Sequence, residues 1–214
     1  MLGDFVVAIE GLKGLRDLTD MDKDIINSAK IAVNAATRYA QRQSGKEIRR
    51  QIAFPAHYLT GSDGRLQITQ FATEKNLQGV IGARRRATSL ARFAKGNLRV
   101  GGAKRAPGAV VEVKPGSAVR LRRAFLIKLR SGSSETDTQH NLGMAMRTKN
   151  GERPKNAYQP KGIGKNLWLL YGPSVDAAFI NLGSKGGGVA RQLTPDIINE
   201  LEREFFRQME RANG

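Results

Sequence analysis

The chain reads as an α+β protein, with an N-terminal Ala-rich helix and a C-terminal amphipathic helix packed on a mainly antiparallel β-sheet. Three patterns carry that reading. An alanine stripe recurs at helical spacing near the N-terminus, short apolar or alternating runs between turns fill the middle, and an amphipathic stretch closes the chain. The 214 residues suffice for one sizeable core with long arms. With only 6% aromatics, 24 Gly and 7 Pro, that core should be modest and ringed by turns. The expectation is one domain over 1–214 with extended loops at 95–108, 130–139, 148–164 and 184–193.

Phe5 to Ile9 is a short apolar strand. A helix should start near Thr19 or Asp20, with Asp20, Asp22 and Asp24 at the positive end of its dipole. Ile25, Ala29, Val33, Ala36 and Ala40 form its buried stripe, and the small side chains allow close approach to a sheet. Ser44 followed by Glu47 spells a capping box, so a second short helix is expected there, stopped by Pro55. Arg65 to Phe71 alternates, Glu74 to Asn76 turns, and Leu77 to Ala83 returns, which makes a hairpin. Further strands are expected at Val110–Val113, Ala118–Leu121, Phe125–Leu129 and Leu142–Arg147, with Phe125–Leu129 continuing the sheet of its predecessor. Leu167 to Tyr171, the most hydrophobic run, suits a central strand. In the last helix Thr194 is the expected cap, Pro195 the first position, and Ile198, Leu201, Phe205 and Met209 the apolar face. Glu200, Glu204 and Arg207 fall on the opposite side, and Gly186 to Gly188 reads as a flexible connector.

The net charge is +17, and it is unevenly spread. Arg84 to Arg130 holds fourteen Lys or Arg against one acid, Glu112. A positive field of that density attracts polyanions, nucleic acid above all. Candidate residues near nucleic acid are Arg84, Arg85, Arg86, Lys104, Arg105, Arg120, Arg122 and Arg123. The plain alternative is a basic face matched by an acidic partner protein.

Several chemistries lack their residues. The chain has no cysteine, and its only histidines are His57 and His140, neither beside a nucleophile elbow or a spaced acid. Asp20, Asp22 and Asp24 lack the glycine and closing Glu of a calcium loop, and Gly186–Gly188 lacks the ending of a phosphate loop. The expectation is no catalytic residue, no metal and no cofactor, hence not an enzyme. No run approaches the roughly 18 apolar residues of a spanning helix, so no membrane partner is expected. Met1 to Glu10 has no signal-type pattern, which points to synthesis in a cytoplasm.

Four segments in order resemble the phage minor tail protein Z family, the tail completion proteins of long-tailed phages. They are the Ala-rich Ile31–Arg38 with the basic Arg49–Ile52, then Ala87–Phe93, then Arg123–Leu126 leading to Met146–Arg147, and finally Leu169–Val175 before the last helix. The match runs over about Asp20 to Arg211, and its most specific part is Tyr171, Gly172, Pro173 and Ser174, with Phe125 and Arg147 as further motif residues. The Lys95–Gly108 and Ser184–Arg191 segments depart from the family's pattern. The resemblance implies a virion protein of the tail or neck, made in the host cytoplasm. It implies a homo-oligomeric ring, sixfold as in long tails, touching tail terminator, tail tube or head-tail connector proteins, with virion DNA in the lumen. The competing expectation is a free nucleic-acid-binding protein without sequence preference, which the charge alone would suggest.

Overall fold

The computed structural model describes residues 2–8, 23–61, 64–96, 100, 108–130, 141–149, 151–161, 164, 166–181 and 188–213. The fold is α+β, and the chain divides into two compact units.

The first unit takes residues 1–48, 56–85 and 175–214. Strands β1 (Leu2–Ala8), β2 (Leu66–Gln70) and β3 (Gln78–Arg84) form an antiparallel sheet in the order β1-β3-β2. The expected hairpin is present, closed by bridges between Thr73 and Asn76. Helix α1 (Lys23–Gln51) buries Ala29, Ala32, Val33, Ala36 and Ala40, while Ile25 is only half-buried. The small side chains have a visible use. A Cβ on Gly79 of β3 would stand 2.0 Å from the Thr37 hydroxyl, so helix and strand meet nearly backbone to backbone. Side-chain amides fasten the same seam. Asn34 donates to the Ala72 carbonyl at 3.1 Å and accepts from its N–H at 2.8 Å, and Gln41 donates to the Leu66 carbonyl at 2.9 Å. Each bond satisfies a backbone group at the sheet edge that would otherwise need water.

Two helix boundaries differ from expectation. The expected caps Thr19 and Asp20 lie outside the described residues. No second helix begins at Ser44, because α1 runs on as one 29-residue helix. Ser44 and Gly45 are both buried, and a Cβ on Gly45 would already touch Thr60 at 3.4 Å beside the short helix α2 (Ala56–Leu59). Tertiary packing of small residues thus overrides a local capping signal. Helix α3 (Val189–Asn213) starts well before the expected cap and carries Pro195 inside it. The Gly188 carbonyl accepts from Arg191 and Gln192 and opens the helix, and Thr194 donates its hydroxyl to the Ala190 carbonyl rather than capping. Pro195 stands past the first turn, so it withholds the N–H that the helix ladder would use there. The connector expected over 184–193 is therefore helical from Val189. Gly188 is not a free hinge. It is buried, donates to the Ile180 carbonyl at 2.8 Å, and a Cβ there would stand 2.2 Å from that residue's backbone, at the end of the π-turn Ala177–Asn181. Gly186 and Gly187 lie outside the described residues.

The second unit takes residues 49–55 and 86–174. One sheet orders β10 (Ala157–Tyr158), β11 (Leu167–Gly172), β9 (Leu142–Arg147) and β8 (Ala124–Lys128), with β4 (Thr88–Ser89) also pairing β11. Leu167–Tyr171 is thus an interior strand, as its hydrophobicity implies, and β10 falls inside the loop expected at 148–164. The other sheet orders β5 (Ala94–Lys95), β6 (Ala109–Lys114) and β7 (Ser117–Leu121). Strand β8 does not continue the sheet of β7. The turn Arg122–Arg123 passes the chain from one sheet to the other, with Arg123 at φ 68°, a left-handed conformation that reorients the next strand. The core holds Phe125, Leu129, Ala145, Leu167 and Leu169. Beside it a 3-10 turn, Leu90–Phe93, sets Phe93 against Phe54 with ring centroids 5.3 Å apart. No helix among the described residues is long and apolar enough to cross a membrane.

Candidate nucleic-acid interface and structural motif

The eight basic candidates fall into different local settings. Arg84 ends β3, is half-buried, and donates to the Tyr58 hydroxyl at 3.3 Å. The same ring lies under the Arg65 guanidinium at 6.0 Å, so Tyr58 serves two cations at once. Arg85 is exposed and reaches Asp176 at 4.0 Å, the outer limit of an ion pair. Arg86 is half-buried in the bend that follows. Arg120 is exposed on β7, opposite Val110, and Arg122 and Arg123 are exposed in the turn between the sheets. Lys104 and Arg105 lie outside the described residues. The strand and turn of the second unit therefore present three arginines to solvent, whereas Arg84 is already engaged in packing.

The motif residues come together in the second unit. Phe125 on β8 pairs with Ala145 on β9, which places Arg147 diagonally across from it. The Arg147 guanidinium stands 5.8 Å from the Phe125 ring centroid, and Tyr171 on β11 packs against the same core cluster. The next residue, Gly172, pairs with Thr88, and a Cβ there would meet Leu90 at 3.1 Å and Phe93 at 3.2 Å. A side chain there would press on both residues, so glycine suits the close passage of β11 by the 3-10 turn. Pro173 then ends the strand, its carbonyl accepting from the Thr88 N–H at 3.4 Å. Ser174 is buried, and helical structure begins at Val175. The Tyr-Gly-Pro-Ser element is thus a strand-ending corner held by steric fit.

One charged cluster escaped the sequence reading. In the first unit Ala35, Arg38 and Arg42 of α1 and Glu200, Arg203, Glu204 and Arg207 of α3 line a cleft of about 520 Å³. Glu204 is only 6% exposed, so it faces inward and not to solvent as its place opposite the expected stripe implied. It accepts from Arg207 at 2.5 Å and Gln208 at 2.6 Å. The Arg207 hydrogen bond holds its carboxyl below the usual carboxylate range, against the opposing effect of burial. Glu200 pairs with Arg203 one turn earlier. Arg38 also lies 4.9 Å over the Phe71 ring. Arg38 with Arg42, and Arg203 with Arg207, are each spaced by four. That helical spacing was the available signal, but nothing in the sequence said the two pairs would face one cleft.

The apolar face of α3 is correspondingly rotated. Ile197 is buried, Leu201, Phe205 and Met209 are half-buried, and Ile198 is exposed. His57 is exposed on α2, and His140 lies outside the described residues. No group of acids and histidines suited to a metal occurs among the described residues. No family model, curated protein or solved structure matches the chain.

Proposed function

We propose that the chain is a structural virion protein, a subunit of a ring at the head-proximal end of a long phage tail, and not an enzyme. In that role it completes the tail and supports head-tail joining and DNA passage. The observation that carries the reading is that Phe125 and Tyr171 pack on one core cluster with Arg147 over the Phe125 ring, while Gly172, at the far end of β11 from Arg147, fits closely against Leu90 and Phe93. These residues underlie the family resemblance, and each is used in packing within one sheet of the second unit. A packing motif of this kind serves a protein whose task is to hold shape. The exposed Arg120, Arg122 and Arg123 add a surface suited to phosphates, which a DNA-lined lumen would use without reading sequence.

Its partners on this reading are further copies of itself, with tail terminator, tail tube or connector proteins above and below. The decisive experiment deletes the gene from the phage that carries it. The reading expects separate filled heads and free tails, restored to joined particles by the gene in trans. Normal infectious particles from the deletion would refute it. If, in addition, the protein distributes over host nucleic acid, the free nucleic-acid-binding alternative takes its place.

A further inference from the structure

Helix α3 carries a row that its own unit does not cover. Ile198, Glu202, Phe206 and Glu210 follow one another at steps of four, so they share one helical ridge. All four are exposed, Ile198 at 47% and Phe206 at 63%. The ridge alternates apolar and acidic side chains on a chain of net charge +17.

The second unit holds a groove of complementary character. Val111, Val119, Leu121 and Tyr158 line it together with Lys114 and Lys155, over a volume of about 780 Å³. Val119 is 53% exposed and Tyr158 50%, so both offer side-chain surface in the groove. The groove lies where β7 and β10 are the outer strands of their sheets. Its lining is mostly apolar and carries the cations Lys114, Arg153 and Lys155.

We propose that the α3 ridge of one copy docks into this groove on a second copy. Phe206 and Ile198 pack on the apolar lining, and Glu202 and Glu210 meet Lys114 and Lys155. The inference deepens the ring-subunit reading and rests on it for its setting. Charge complementarity selects the occupant. Most of this chain's surface would repel a second copy, and an acidic ridge is the kind of surface that a cationic, apolar groove accepts. The two surfaces differ, so the contact is head-to-tail. Contacts of that type close into rings when the rotation per subunit permits.

The absence of cysteine makes the test direct. Phe206→Cys and Val119→Cys are prepared as separate single variants, both at exposed positions, and their melting curves establish that each folds. Under mild oxidation the mixture of the two should yield a disulfide-linked dimer, and neither alone should. In parallel, Glu202→Lys with Glu210→Lys should weaken self-association by on the order of tenfold or more. Mixing that variant with Lys114→Glu/Lys155→Glu should restore association. A dimer from Phe206→Cys alone would mean that α3 meets α3, and would overturn the proposal. So would a chain that stays monomeric at every concentration, or self-association indifferent to the charge reversals. The presence of the protein in purified particles tests the ring reading on its own. Particles that contain it while no mixed disulfide forms would sink the docking and leave that reading standing.

Discussion

The two units show two uses of positive charge. In the first, Arg84 donates to Tyr58, Arg65 lies over the same ring, Arg38 covers Phe71, and Arg203 and Arg207 pair with glutamates of their own helix. In the second, Arg147 lies over Phe125 and Lys95 pairs with Glu112, while Arg122 and Arg123 stand exposed in a turn. A charge count treats all of these alike. The structure separates cations that fasten aromatic rings and helices from cations that face outward, and only the second kind suits a polyanion. Salt screens such outward charges, whereas partly buried pairs keep more of their strength.

The contrast extends to packing and can be broken there first. Phe93 in the second unit is nearly fully buried, against Phe54 and over Gly172. Phe93→Ala should cost about 3–5 kcal/mol in denaturant unfolding. Amide exchange should rise in β6, β9 and β11. A loss of protection in α1 and β3 instead would mean that the core has been wrongly located.

The first unit depends on close approach and not on aromatic bulk. Gly79→Ala should lower stability by about 1–3 kcal/mol, because the new methyl group meets the Thr37 hydroxyl. Adding Thr37→Ala should recover most of that loss, although it removes the 2.6 Å bond to the Val33 carbonyl. Two losses that simply add would show that the helix does not press on β3 at this point.

Binding to random duplex DNA sharpens the comparison of arginines. Removing both Arg122 and Arg123 should reduce the log–log salt slope by about two, roughly one for each phosphate no longer neutralised. Arg84→Ala should leave that slope unchanged and cost about 1–2 kcal/mol of stability through the missing Tyr58 hydrogen bond. The reverse pattern would exchange the roles assigned to the two units.

The smallest expected effect concerns acid. Glu204 has its pKa lowered chiefly by the Arg207 hydrogen bond, so its contribution is full above the ordinary carboxylate range and is lost as pH falls through the folded value. The difference in Tm between the native chain and Glu204→Gln should therefore be present at neutral pH and close in acid. A difference that persists unchanged into strong acid would place the effect outside this ionisation.

Much of the fold was legible because strands and turns announce themselves locally. Leu142–Arg147 has the expected bounds, and the Lys114–Ser117 turn places Gly116 at φ 76° as a tight reversal requires. The errors sit where distant residues decide. Ser44–Glu47 looks like a helix start, yet Thr60 packs on Gly45 and the helix continues. Thr194–Pro195 looks like another, yet Gly188, pressed on Ile180, opens α3 earlier. Of the candidate site, the sequence supplied Arg122 and Arg123 but not the turn that exposes them between two sheets. Nor did it supply the engagement of Arg84, since its partner Tyr58 lies on a separate short helix.

The central claim is that this chain is built into a ring at the neck of a phage tail. Electron cryo-microscopy of intact tailed particles carrying its gene tests that most directly. The account predicts a ring of identical subunits at the head-proximal end of the tail, most simply sixfold, into which the three-stranded sheet with α1 and the two-sheet unit both fit. It also predicts Arg122 and Arg123 toward the lumen. A neck whose density is fully accounted for by other proteins, with this chain found only as a free monomer, would contradict it.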